Sequence, residues 1–351
     1  MKDYITGIQQ AGIGVEDAEE AKYLYKELFG MNVLVFEDKA PASLMTRYTG
    51  KVEHNRHALL CLNMSGGGGF ELWQFTSRVA QKPLSATLPG DLGIFAIKIK
   101  CRNIRRAHAH FSEKNNLVIS AVTTTPDKRP HFWITDQNGN HFEIVEGDEW
   151  FKKDKNICGG VVGAVIGVSN MDKALHFYNE LLGVQESIYN ETERSKDFPN
   201  SNQQGEMFNR VLLKKHLACK GAFSKLLGAV QIELIETKER EPKKIYDNRF
   251  WGDCGFIHLC FDVVNMDQMK NRFTKAGYTF SVDSQDSFSM GSSAGRFCYV
   301  EDPDGTLIEL VETHKIPIFK KLGWYINLQK RNPDKPLPNW MVGLLGLNKI
   351  R

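Results

Sequence analysis

Residues 11–30 return as residues 164–183 with nine identities in twenty positions, among them Gly14/Gly167, Tyr25/Tyr178 and Gly30/Gly183. A second shift carries DQNGNHFEIVE at 136–146 onto DPDGTLIELVE at 302–312, so that Asp136, Gly139, Glu143 and Glu146 meet Asp302, Gly305, Glu309 and Glu312. A chain that repeats at this spacing is built from copies of one small unit, none of which can bury its apolar face alone.

Each quarter reads as a strand, a helix and about three further strands. Gln10–Val15 alternates as a strand does. Asp17 then offers a helix cap with Glu20 three residues on, and Leu24, Tyr25 and Leu28 supply a buried stripe. Gly30 falls where a helix ends in the left-handed conformation. Asn170, Leu175, Tyr178, Leu182 and Gly183 repeat the plan, and the segments opening at Ile94 and Phe256 have the same form. Every quarter closes on a strand with one Glu between two apolar residues: Glu71, Glu143, Glu233 and Glu309. Period-two alternation turns those carboxylates away from the helix-packed layer.

The expected architecture is α+β: four βαβββ modules paired into two domains whose sheets curl into incomplete barrels. The expected domains are 1–150 (modules about 5–75 and 92–147) and 155–313 (modules about 160–237 and 254–313). The linkers lie near 76–92, 147–160 and 237–254. A basic extension with Pro333, Pro336 and Pro338 follows at 314–351. It holds eight Lys/Arg and one acid, against a net charge of +3 for the whole chain, so the body is acidic. The apolar residues in this tail, Trp324, Leu328, Leu344 and Leu345 among them, favour an extension packed across that body over a nucleic-acid arm.

No apolar run approaches the roughly 20 residues of a membrane span, and the start lacks a signal-peptide core. Seven cysteines with no CxxC pair read as reduced thiols of a cytoplasmic protein. Both cups could be completed within one chain, which allows a monomer or a homodimer.

The strand–helix openings with Tyr25 and Tyr178, together with DPDG at 302–305 followed by IEL at 308–310, resemble the vicinal oxygen chelate superfamily. That superfamily includes glyoxalase I, bleomycin resistance proteins and extradiol dioxygenases. The resemblance spans about residues 5–313 and implies a small-molecule substrate. It also implies that each paired module gives two metal ligands, one from its first strand and one from the Glu of its last. In the C-terminal half the matching positions are Gly163, Glu233, His258 and Glu309; in the N-terminal half, Gln10, Glu71, Ala96 and Glu143.

The expected centre is therefore Glu233, His258 and Glu309 around a divalent Zn, Fe, Mn, Co or Ni ion, with Gly163 leaving one corner bare. His258 shares a face with Phe256 and Cys260, opposite Ile257, Leu259 and Phe261. Ala96 brings no donor, so the N-terminal half reads as structural or as a binding cup, with His57, His131 and His141 as possible substitutes. A glyoxalase-type isomerase or lyase would use Glu233 or Glu309 as base beside the metal. Tyr299, ten residues before Glu309, matches a catalytic Tyr of the extradiol dioxygenases. Their catalytic His has no counterpart at Met290-Gly291-Ser292, and a ligand His is replaced by Gly163, so ring cleavage is disfavoured. The rival class is a non-catalytic binder of the bleomycin-resistance type. Phe250, Trp251, Phe256, Phe288, Phe297 and Tyr299 are candidates for an apolar pocket, and Arg296 for an anionic substrate group.

Overall fold

The computed structural model describes residues 3–199, 205–216, 220–285, 288–290, 293–319 and 324–350. The first module holds β1 (Tyr4–Gly14), α1 (Ala18–Phe29), β2 (Val33–Pro41), β3 (Asn55–Leu62) and β4 (Gly69–Phe75). The second holds β5 (Gly93–Cys101), α2 (Ile104–Ser112), β6 (Val118–Ile119), β7 (Thr123–Thr124), β8 (Pro130–Thr135) and β9 (His141–Glu146). The third holds β10 (Cys158–Gly167), α3 (Met171–Leu175, running on as a wider turn through Leu181), β11 (Glu186–Ser195), β12 (Glu206–Lys215), α4 (Ser224–Leu227) and β13 (Val230–Thr237). The fourth holds β14 (Gly255–Val264), α5 (Met266–Lys275), β15 (Phe280–Asp283), β16 (Phe288–Met290), β17 (Ser293–Glu301) and β18 (Leu307–Phe319). β19 (Trp324–Asn327) and α6 (Asn339–Gly343) belong to the extension.

The helix signals act as the sequence suggests. The Asp17 carboxylate accepts from the backbone N–H of Glu19 and Glu20, and Gly30 closes α1 at φ 67°. The recurring Tyr and Asp serve each other. Tyr25 donates to Asp136 and Tyr178 to Asp302, both at 2.8 Å. Each of these bonds ties the helix of one module to the last turn of the next. Gly14 and Gly167 recur because a linker crosses both strand ends: a Cβ would fall 1.9 Å from the Asp253 carbonyl oxygen and 2.0 Å from that of Asp91.

The sheets do not pair modules within each half of the chain. One sheet runs β15-β17-β18-β14-β1-β4-β3-β2, and the other β11-β12-β13-β10-β5-β9-β8-β6. First-module strands therefore share a sheet with the fourth module, and second-module strands with the third. The seams are antiparallel: β1 lies on β14 with Gln10 opposite Cys260 and Gly12 opposite His258, while β5 lies on β10. The expected grouping of one cup per half is corrected by this pairing, although both cups are still completed inside one chain.

All four apolar–Glu–apolar triplets behave as alternation requires. Phe70/Leu72, Phe142/Ile144, Ile232/Leu234 and Ile308/Leu310 enter one core shared with α1, α2, α3 and α5, and the four Glu face the concave side. Two smaller cores fill the concave faces, around Leu60, Trp73 and Tyr299 in one sheet and Phe95, Trp133 and Ile235 in the other. One expectation fails locally. The β1/β14 register steps from Gly12/His258 to Ile13/Phe256, leaving Ile257 as a bulge. The extra residue flips alternation, so Phe256 joins the helix-side core and Ile257 the concave one.

Part of the extension packs on the first–fourth sheet. Leu337, Val342 and Leu345 are buried in the concave core of the first–fourth sheet. The Leu34 N–H donates to the Asn348 carbonyl, and that of Ile350 to Asn32. Among the described residues no helix is long and apolar enough to cross a membrane.

The cross-pairing makes each half dependent on the other. Co-expressed fragments 1–155 and 156–351 are expected to co-purify as an equimolar complex, while either fragment alone leaves an inner strand edge bare and aggregates. Two fragments that fold separately as stable monomers would contradict this arrangement.

Candidate metal centre

Pairing the first module with the fourth brings together Gln10 on β1, Glu71 on β4, His258 on β14 and Glu309 on β18. All four are buried, His258 completely. The His258 Nε2 lies 3.2 Å from Glu71 Oε2 and 3.1 Å from Glu309 Oε2. The Gln10 amide nitrogen donates to the same two oxygens at 3.0 and 3.3 Å. The imidazole fits because its neighbour across the seam has no side chain: a Cβ on Gly12 would stand 2.3 Å from His258 Cε1.

Around this quartet the protein supplies support. The Tyr299 hydroxyl lies 3.3 Å from His258 Nδ1, so the ring is gripped on the nitrogen that faces away from the carboxylates. Tyr299 meets the imidazole edge-on, and Trp251 lies nearly parallel to it. Burial, reinforced by Glu309 and Glu71, pushes the Tyr299 phenol well above its ordinary range, so it remains a protonated partner. Burial opposes charge on His258, but Glu309 and Glu71 outweigh it and push its pKa up to about 9.

The unsatisfied atoms indicate what these residues suit. His258 Nε2 and Gln10 Oε1 are buried without a hydrogen-bond partner. The imidazole nitrogen sits at ion-pair distance from two carboxylate oxygens yet off the line of a hydrogen bond to either. Buried polar atoms rarely go unpaired, and the imidazole Nε2 stands against the two carboxylates as a ligand of one cation would. Glu71, His258 and Glu309 each offer a donor atom within 4.8 Å of the others. A divalent ion with neutral His258 would also cancel both carboxylate charges in a site where net charge is costly. One imidazole and two carboxylates form a donor set suited to borderline divalent metals, with the Gln10 amide bracing the carboxylates.

The second–third sheet treats the equivalent positions differently. Ala96 and Gly163 bring no donor, and a Cβ at Gly163 would meet the Gln231 carbonyl oxygen at 2.1 Å. Lys98, at the register position that Cys260 occupies in the other sheet, inserts its ammonium between Glu143 and Glu233, 2.7 Å from the latter. Arg210 donates to Glu233 at 2.7 Å and to both Asp197 oxygens at 2.9 and 3.0 Å, and the His131 Nδ1 lies 2.7 Å from Glu143. Burial disfavours ionised Glu143 and Glu233, but Lys98 overcomes it, helped by His131 at the first and Arg210 at the second. Both carboxyls are held below the ordinary range.

Of the expected trio, the structure brings His258 and Glu309 together with Tyr299 and separates Glu233. Glu233 belongs to the other sheet and is occupied by Lys98 and Arg210, which corrects its reading as metal ligand or base. Its place is taken by Glu71, with Gln10 filling the corner that Gly163 left bare. His57 pairs with Glu37 at 2.8 Å, and His141 lies 2.8 Å from Thr135. Burial pushes His141 down to about 4. Among the described residues one further grouping, Glu19, Glu37 and His57, has metal-like spacing. Both of its acids are exposed, and Glu19 already pairs with Lys22 at 2.5 Å. Arg296 is committed to Asp283 and Asp267. The side chain of Phe288 and residues 291–292 lie outside the described residues. Lys98 was not anticipated, because a lone Lys in an alternating strand carries no visible partner in sequence.

The family model for the Glyoxalase/Bleomycin resistance protein/Dioxygenase superfamily matches residues 7–144 and 160–310. The chain belongs to this superfamily. Among solved structures it resembles a protein of Bacillus subtilis subsp. subtilis str. 168 provisionally described as a dioxygenase (15% identity, 88% of this chain and 86% of that one, TM-score 0.56). It also resembles glyoxalase I from Zea mays (13% identity, 89% and 92%, TM-score 0.54). At these identities the likeness establishes the fold. No curated protein sequence matches the chain.

Lys98→Met is expected to destabilise the protein by about 3–5 kcal/mol in urea titration at neutral pH, because two buried carboxylates lose their shared cation. The depressed carboxyls contribute stability above their unfolded values near pH 4, and it is lost as pH falls through the folded values. In Lys98→Met that acid loss should begin at higher pH. An unchanged acid midpoint in the variant would refute the role given to this ammonium.

Proposed function

We propose that the protein is a metal-dependent enzyme of the glyoxalase isomerase/lyase type. Its site is Gln10, Glu71, His258 and Glu309 on the first–fourth sheet, and it acts on a small molecule. The observation that carries this reading is the convergence of His258 Nε2, without a hydrogen bond, on the Glu71 and Glu309 carboxylates. The divalent cation these residues would hold polarises a substrate oxygen when bound, making the neighbouring C–H proton easier to remove.

The chain's own residues supply the rest. Glu71 and Glu309 both line the adjoining cavity, so either carboxylate can reach a proton next to that oxygen and act as base. Tyr299 fixes the imidazole orientation through Nδ1, a positioning role that leaves Nε2 free to act as a donor. Gln10 holds the two carboxylates at one spacing. A lone His in the set distances the site from the two-His arrangement of extradiol dioxygenases. The non-catalytic alternative, a binding cup without metal, draws support from the apolar cavity alone.

Protein stripped with chelator and reloaded with Zn, Mn, Co or Ni is expected to retain about one ion per chain by elemental analysis. His258→Ala, Glu71→Ala and Glu309→Ala should each lower metal affinity by at least roughly ten-fold. Glu233→Gln should leave it unchanged. Failure of every metal to bind the intact chain would favour the binding-cup reading instead.

A further inference from the structure

The cavity beside the quartet shows what kind of molecule it accepts. Gln10, Glu71 and Glu309 form one end, and Phe36, Leu60, Leu62, Leu226, Ile316 and Leu345 form much of the wall. Gln9, Thr313 and Asn348 add the few remaining polar groups. Among the described residues that line it there is no Lys, Arg or His. The roof is not a loose flap. Leu226 comes from the third module and is fixed by the bond from the Gly67 N–H to its carbonyl at 2.7 Å, while the Asn348 carbonyl accepts from Leu34 at 2.9 Å. The volume is about 140 Å³, close to the roughly 150 Å³ at which an apolar protein cavity takes a benzene-sized guest.

These observations act together. An anionic group buried there away from the reacting oxygen would lie on hydrocarbon, beside two carboxylates, with no cation among the described lining residues to receive it, and burying such a charge unpaired is costly. A peptide-sized adduct would leave most of its polar atoms outside the volume that meets the quartet. An apolar body loses its hydration against the wall and gains from every contact.

Resting on the metal-site reading above, we infer that the substrate is an uncharged compound of about single-ring bulk. It would turn one or two adjacent oxygens toward Gln10, Glu71 and Glu309, and an otherwise hydrocarbon surface toward the roof and walls. The class is that of α-hydroxy or α-oxo ketones on an aryl or branched alkyl group, not carboxylate-bearing thiol adducts.

The test uses the full chain loaded with Ni or Zn, its metal content measured on the same sample, and calorimetric binding of three probes. These are 2-hydroxyacetophenone, 4-(2-hydroxyacetyl)benzoate with an anion at the far end of the same ring, and the hemithioacetal of glutathione with methylglyoxal. The neutral ketone is expected to bind at least roughly ten-fold more tightly than either anion. Phe223→Lys, which brings an ammonium to the roof, should shrink that preference. Asn348→Lys repeats the test at the opposite rim should the first variant fail to fold. Equal or tighter binding of the benzoate or of the glutathione adduct overturns the inference, as does metal-loaded protein that binds none of the three. A chain that holds no metal yet still prefers the neutral ketone would sink the metal reading while leaving the inferred ligand class standing.

Discussion

The antiparallel seam between β1 and β14 is the constraint on which the rest depends. It joins residues about 250 positions apart and sets Gly12 against His258. A side chain at Gly12 would occupy the imidazole's space, so the glycine of the opening strand acts directly on the chemistry of the last module. From that seam the parallel neighbours follow on each side, β4 carrying Glu71 and β18 carrying Glu309. Neither carboxylate could meet the other if each half of the chain closed on itself. The quartet is therefore a product of topology as much as of residue type.

Duplication produced two cups, and they solve one electrostatic problem in two ways. Two inward carboxylates on a buried sheet face repel unless a cation lies between them. In the second–third sheet the chain provides its own: Lys98 bridges Glu143 and Glu233, Arg210 and His131 complete the network, and its main partners are satisfied internally. In the first–fourth sheet the equivalent position is Cys260, too short and too weakly polar to do so. The compensating charge falls to the His258 imidazole: burial opposes it, but Glu309 and Glu71 push its pKa up to about 9, and a bound divalent ion would relieve it. The unpaired Nε2 of His258 and Oε1 of Gln10 mark where compensation from outside would enter. One cup is thus closed by a covalently attached ammonium, and the other is left able to take a free ion.

Much of this was legible in the sequence. The modules, the helix caps and the inward direction of all four strand carboxylates follow from local periodicity, and local periodicity is what a single sequence exposes. The Tyr–Asp pairs behind the strongest repeat matches, Tyr25/Asp136 and Tyr178/Asp302, are contacts between consecutive modules. They encourage the inference that consecutive modules also share a sheet. The modules tied in this way, first to second and third to fourth, do not, because helix packing and strand pairing are satisfied by different partners. Every position of the candidate site was visible singly, including Gln10 and Glu71, yet grouping them required knowing which strand edges meet. The bulge at Ile257 escaped for a similar reason: two-residue alternation holds only where the pairing register is unbroken.

The same long-range closure explains why the extension belongs to the site. A seam between the first and last modules must wait for nearly the whole chain, since loop-closure entropy opposes contacts of such separation until other contacts offset it. Once β1 and β14 pair, the concave face of their sheet is still open toward the edge at β2. The extension, emerging from β18 in that very sheet, is the nearest segment able to cover it, and it does so through Leu337, Val342 and Leu345 with backbone bonds at Leu34 and Ile350. The third module contributes the remaining cover through α4, although its own strands lie in the other sheet. The apolar cavity beside the quartet thus requires three modules and the extension at once, and none of the described basic residues of that extension lines it.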